Sequence, residues 1–135
     1  MKKIILSSFF LVTALSFSQI SESYIARISP ADHFNSNGER LRNAAQIIRQ
    51  DRANYHKFGK SDPEDQGDIF FADANNREAL ENMLRRGRIT AEANNLIVNG
   101  DPLIKVDIYS GGYIDVTVYD DSPQSNVHVG RTPQL

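Results

Sequence analysis

The sequence predicts an α+β domain, with about three helices packed on a small antiparallel sheet built mainly from a C-terminal β-hairpin. Three observations carry that expectation. Two alternating runs, LIKVDIY and YIDVTVY, flank a glycine-bearing SGG loop late in the chain. The middle of the chain repeats apolar residues at helical spacing between recognisable start and stop signals. A weaker alternation, SYIARIS, precedes them and stops at Pro30.

The first residues, MKKIILSSFFLVTALSFSQ, read as two lysines, an apolar run from Ile4 to Leu15, and small residues before Gln19. That is the pattern of a secretory signal peptide over residues 1–18, too short for a membrane span. Cleavage after Ser18 leaves a single domain over 19–120 and a polar tail over 121–135, expected to be mobile. No other apolar run approaches spanning length, so a secreted or periplasmic protein with no membrane span after cleavage is expected.

Loss of Lys2 and Lys3 takes the formal charge from −2 to −4, which argues against a nonspecific nucleic-acid binder. The expected partner is a protein or a small extracytoplasmic ligand, and the expected state is a monomer or weak oligomer. The chain has no cysteine, so packing alone must hold it, and thiolate nucleophiles and Cys-based zinc sites are excluded.

Tyr24, Ala26 and Ile28 form one side of the first strand. Ser36-Asn37-Gly38-Glu39 then matches a capping box, and a helix is expected from about Asn37 to Phe58, ended by Gly59. Its apolar stripe holds Leu41, Ala44, Ile48, Tyr55 and Phe58, with Ile47 at the edge. Arg42, Arg49 and His56 recur on the opposite side as a solvated basic line, with Arg52 nearer the apolar boundary. Ile69-Phe70-Phe71 reads as an apolar plug behind an acidic loop. Asp73 caps a second helix to about Arg86, stopped by Gly87, and Thr90 opens a third with Leu96 and Ile97 inward, closed by Asn99-Gly100.

Register follows from the hairpin loop. A two-residue loop would mix apolar and polar residues on each face, whereas a three-residue loop, Ser110 to Gly112, pairs Ile108 with Ile114, Val106 with Val116 and Ile104 with Val118. The other face then carries Tyr109 opposite Tyr113, Asp107 opposite Asp115, Lys105 opposite Thr117 and Leu103 opposite Tyr119. Tyrosines bury area while keeping a polar tip, so Tyr109, Tyr113 and Tyr119 with Asp107 and Asp115 are the expected binding face, provided the helices cover only the apolar side. Tyr24 to Ile28 can supply a third strand.

Asp51 falls inside the apolar stripe of the long helix. A carboxylate there must be paired, hydrogen-bonded or protonated, and loop amides or an arginine such as Arg27 or Arg52 are the expected partners. With His33 or His56 the same residue would be the base of a hydrolase, but no G-x-S-x-G, S-x-x-K, H-E-x-x-H or glycine-rich phosphate motif accompanies them, and the reading leans against an enzyme. His128 in the tail is given no role.

One metal motif is present. Asp62, Glu64, Gln66, Asp68 and Asp73 occupy positions one, three, five, seven and twelve of a loop that resembles an EF-hand, with Gly67 sixth. Glu at three, neutral Gln at five and the short Asp at twelve depart from the pattern. Calcium is therefore the one cofactor the sequence admits. The leading expectation is a non-enzymatic exported binding or interaction protein using the hairpin's polar face; the alternatives are a calcium-stabilised protein and a hydrolase around Asp51 and His33.

Overall fold

The computed structural model describes residues 17–119. The leader read over 1–18 lies outside them up to Ser16, and the tail read over 121–135 lies outside them entirely. The elements run β1 (Ile20–Arg27), α1 (Ala44–His56), α2 (Ala74–Arg86), α3 (Ala91–Asn99), β2 (Leu103–Tyr109) and β3 (Tyr113–Tyr119), with short 3-10 turns at Pro30–His33 and Phe70–Ala72. Three helices and a three-stranded antiparallel sheet of order β1-β2-β3 make an α+β fold. No helix among the described residues is long and apolar enough to cross a membrane.

The hairpin takes the three-residue loop: Ile104 pairs with Val118, Val106 with Val116 and Ile108 with Ile114. The first strand joins the same sheet antiparallel to β2, Tyr24 opposite Val106 and Ala26 opposite Ile104. Alternation therefore sends Tyr24, Ala26, Ile104, Val106, Ile108, Ile114 and Val116 to one face, where all are buried under the helices. Ile47 and Ile48 of α1, Leu80, Met83 and Leu84 of α2 and Ile97 of α3 complete the core. Because only one face is apolar, only one face is covered.

Local chemistry explains the later helices well. The Asp73 carboxylate accepts from the Asn75 amide at 2.8 Å and starts α2; the Thr90 hydroxyl accepts from Ala93 N at 3.0 Å and starts α3. Gly87 ends α2 and also lets its C-terminus touch the sheet. The next residue, Arg88, donates its amide to the Ile114 carbonyl at 3.2 Å and accepts from Val116 N at 2.9 Å, covering part of the outer edge of β3. A Cβ at Gly87 would overlap the Ile114 carbonyl oxygen. Gly87→Ala is thus expected to cost about 2–3 kcal/mol, because strand and helix end must separate; equilibrium urea denaturation reads this as a lower midpoint at unchanged slope.

The long first helix is corrected. It starts at Ala44, not near Asn37, and its cap is Asn43, whose side chain accepts from Ala45 N at 2.8 Å. The Ser36–Glu39 capping box does not form. Asn35 wins the same amides: its Oδ1 accepts from Asn37 N and Glu39 N, both at 3.0 Å, and its Nδ2 donates to Glu39 Oε2. Gly38 at φ +78° completes a tight turn that a helix cannot contain. At the other end α1 stops at His56, and Gly59 turns the chain away at φ +63°.

Three apolar expectations also change. Phe58 lies beyond the end of α1 and is 44% exposed; Leu96 is on the outer side of α3 at 45%; and Ile69 is 86% exposed, so the plug is Phe71, fully buried, with Phe70 beside it. Phe71 meets Tyr24 edge-on at 6.1 Å. The turn that aims Phe71 inward is held by Glu22 of β1, whose carboxylate accepts from Ile69 N and Phe70 N.

Candidate functional site

Asp51 faces the interior, as its place in the stripe requires, and is 2% exposed. Its partner is its neighbour: Arg52 Nε donates to Asp51 Oδ2 at 2.8 Å. Arg52, expected near the apolar boundary, turns inward, and His56 of the basic line expected to be solvated is drawn onto the same cluster. Arg52 is fully buried, enclosed by Tyr24 of β1, Tyr55 of its own helix and the acidic loop at Gln66 and Asp68. Its Nη1 donates to Asp68 Oδ1 at 2.9 Å and to the Gln66 carbonyl at 3.0 Å. The guanidinium also lies over the rings of Tyr24 and Tyr55, 4.2 and 4.7 Å from their centroids. Two aromatic faces and two carboxyl groups replace much of the water that a buried cation has lost, while Nη2 has no hydrogen-bond partner among the described residues.

The same Asp68 Oδ1 meets His56 Nε2 at 2.8 Å, and Asp68 Oδ2 accepts from Phe71 N at 2.5 Å. One guanidinium thus stands between two carboxyl groups, which makes two full negative charges costly here. Burial, only partly offset by Arg52 and reinforced by Asp32 and Asp65, pushes the Asp51 pKa up to about 8. Burial opposes the charge on Arg52, yet the surrounding Tyr24, Asp51 and Asp68 outweigh it and push the pKa of Arg52 upward. Asp51 is accordingly neutral near pH 7, donating or accepting within a locked cluster, while Asp68 balances the guanidinium.

This cluster ties the chain together; of the expected hydrolase residues it holds Asp51 and, through Asp68, His56, but not His33. His33 sits apart, with Nδ1 3.1 Å from the Ser29 carbonyl and Nε2 3.0 Å from the Ile97 carbonyl, joining the Pro30–His33 turn to the end of α3. Asp32, unremarked in the sequence beyond its place next to His33, is buried and satisfied: Ser29 donates to its Oδ2 through N and Oγ, and Asn54 Nδ2 donates to its Oδ1 at 2.8 Å. The only sequence signal for it was the Ser29-Pro30 step three residues ahead, a helix-start pattern.

The five residues of the EF-hand-like loop diverge. Glu64 pairs with Arg27 at 3.0 Å; Gln66 Oε1 accepts from Ile25 N at 3.1 Å; Asp68 is held by Arg52, His56 and Phe71 N; Asp73 caps α2. Burial and the nearby Asp65 raise the pKa of Asp62, whose amide donates to Asp65 Oδ2. Among the described residues no group of three or more His, Asp or Glu side chains is placed to hold a metal. The physical reason is β1: its outer edge needs partners, and the loop supplies them through Gln66 N to the Ile25 carbonyl and Arg27 N to Asp65 Oδ1, both at 2.8 Å. Millimolar calcium is therefore expected to leave the melting temperature unchanged in a thermal unfolding titration, since a ligand of the native state would raise it.

The outer sheet face is the remaining candidate. Tyr109 and Tyr113 pair across the hairpin with rings stacked at 4.6 Å and 12°. Asp107 lies opposite Asp115, and Tyr119 ends the row at 40% exposure. Asp107 is answered by Ser23 Oγ at 2.5 Å and Lys105 Nζ at 3.1 Å. Asp115 differs: its Oδ1 is buried and accepts no hydrogen bond among the described residues. Desolvation and the Asp115 carboxylate raise the pKa of the Tyr109 phenol. Among the described residues no helix packs on this side, so an aromatic pair, a carboxylate with an unused lone pair and a further tyrosine share one part-exposed face. No family model, curated protein or solved structure matches this chain.

Proposed function

We propose that the chain is an exported, non-enzymatic binding protein whose partner docks on the outer sheet face through Tyr109, Tyr113, Tyr119, Asp107 and Asp115. The observation that carries this reading is Asp115 Oδ1, a buried acceptor without a donor among the described residues, next to a stacked tyrosine pair. A buried polar atom left unpaired costs about 1–3 kcal/mol, which a donor from a partner recovers. Stacked phenol rings beside two carboxylates favour a cationic donor, an arginine or lysine of a protein segment, through cation–π attraction and charge-assisted hydrogen bonding. The leader pattern of residues 1–18 supports action outside the cytoplasm.

The test is an NMR titration of the labelled domain with an Arg-rich heptapeptide and with the same peptide carrying Gln for Arg. The expected result is saturable shifts centred on residues 105–119 with the first peptide only, weakened at least tenfold by Tyr113→Ser and by Asp115→Asn. Equal responses to both peptides, or shifts unaffected by these two substitutions, would overturn the reading.

A further inference from the structure

A concavity apart from the sheet face lies between the Asn35–Leu41 turn, α1 and the first turn of α2. Its volume is about 570 Å³, and its walls include Arg49, Lys57, Arg77, Gln46, Gln50 and Phe58. That volume is in the range of small-molecule sites.

The charges in it are unbalanced. Arg49 and Lys57 are exposed and neither forms an ion pair among the described residues, where Lys57 Nζ rests only over the Phe58 ring at 5.3 Å. Arg77 is more than nine-tenths buried. Its Nη1 donates to the Phe71 and Ala72 carbonyls at 2.8 and 3.0 Å, which fixes the guanidinium, while its Nε and Nη2 form no hydrogen bond among the described residues. Glu78 is the one acidic residue on the wall and pairs with none of the three. In a chain of net negative charge, three cations line one cleft against a single carboxylate, Glu78, and no described carboxylate pairs with them. Their mutual repulsion is relieved by an anion.

The rest of the lining narrows the chemistry. Among the described residues Gln46 makes no side-chain hydrogen bond, and Gln50 uses only its Nε2, on Asn54, so an amide nitrogen and two amide oxygens are free for hydroxyl groups. Phe58, Leu41 and Ala53 offer an apolar wall to a carbon skeleton. A bare inorganic anion would leave most of 570 Å³ and all of those groups unused. We infer that this cleft binds a small hydroxylated organic anion, the chemistry of an acidic sugar or sugar phosphate, with Arg77 as the fixed anion contact and Arg49 and Lys57 closing on it from α1.

This site is independent of the sheet face, so the two readings stand or fall separately. The experiment titrates the labelled domain with glucuronate and glucose 6-phosphate, with glucose and inorganic phosphate as controls. Expected are saturable shifts of residues 35–58 and 74–78 with at least one of the two acidic sugars, and a loss of affinity of at least tenfold in the Arg49→Gln, Lys57→Gln double variant. Both positions are exposed, so the variant keeps the fold, and an unchanged thermal melt checks that. No saturable shift with either acidic sugar, an equal response to glucose, equal binding of inorganic phosphate, or an unaltered double variant would each overturn the assignment.

Discussion

Arg52→Met lowers the stability of the native state by about 3–5 kcal/mol, because it leaves Asp68 as a buried anion without its guanidinium and strips Asp51 of its donor. Against a total stability of about 5–15 kcal/mol for a single domain, such a loss makes the protein marginal at 37 °C. Chemical denaturation of the wild type and variant in the same buffer measures it. Methionine fills much of the space between Tyr24 and Tyr55, so the loss reports charge and hydrogen bonding more than a cavity. Arg52→Lys recovers only part of it, since an ammonium cannot reach Asp51, Asp68 and the Gln66 carbonyl together while lying flat between two rings. A loss under about 1 kcal/mol would mean that the cluster does not hold α1, the acidic loop and β1 together.

The native state also loses stability as pH rises from about 5 to 8. Asp51 has a folded pKa raised to about 8, against an ordinary carboxylate value near 4 when unfolded. Between those two values the folded chain holds a proton that the unfolded chain has released. Stability therefore falls with increasing pH across that window, at about 1.36 kcal/mol per unit at most, for a total on the order of 3 kcal/mol. Asp51→Asn keeps the shape and cannot ionise, so its stability curve is flatter, and it overtakes the wild type toward pH 8. Asp51→Ala instead destabilises by more than about 2 kcal/mol at pH 6, since Arg52 Nε is left without an acceptor. Denaturant midpoints at pH 5, 6, 7 and 8 separate these outcomes, and parallel curves for wild type and Asp51→Asn would exclude a proton on Asp51.

Much of the candidate binding face was legible before any coordinates. The pairing of Tyr109 with Tyr113 and of Asp107 with Asp115 follows from one requirement, that Ile104, Val106 and Ile108 share a face with Ile114, Val116 and Val118, and the three-residue loop is the connection that meets it. The unused oxygen of Asp115 was not legible, because like charges across a strand pair can be answered unequally: Lys105 and Ser23 both went to Asp107. The cleft beside α1 was less visible still. Arg49 was one of a basic line on a solvated face, and nothing in its periodicity announced Arg77, which arrives from another helix.

What the sequence by itself determined was set by near neighbours and by period: the inward set of each strand, the caps at Asp73 and Thr90, the stop at Gly87, and the inward direction of Asp51. Tertiary structure alone decided which groups met there. Arg52 stood at the edge of a helical stripe, where a long side chain can turn to water or inward, and it turned inward because Tyr24, Asp68 and the Gln66 carbonyl replace its hydration from far along the chain. The acidic loop likewise gave its donors and acceptors to the bare edge of β1, since unpaired backbone groups on a strand demand partners more strongly than a dilute cation demands ligands.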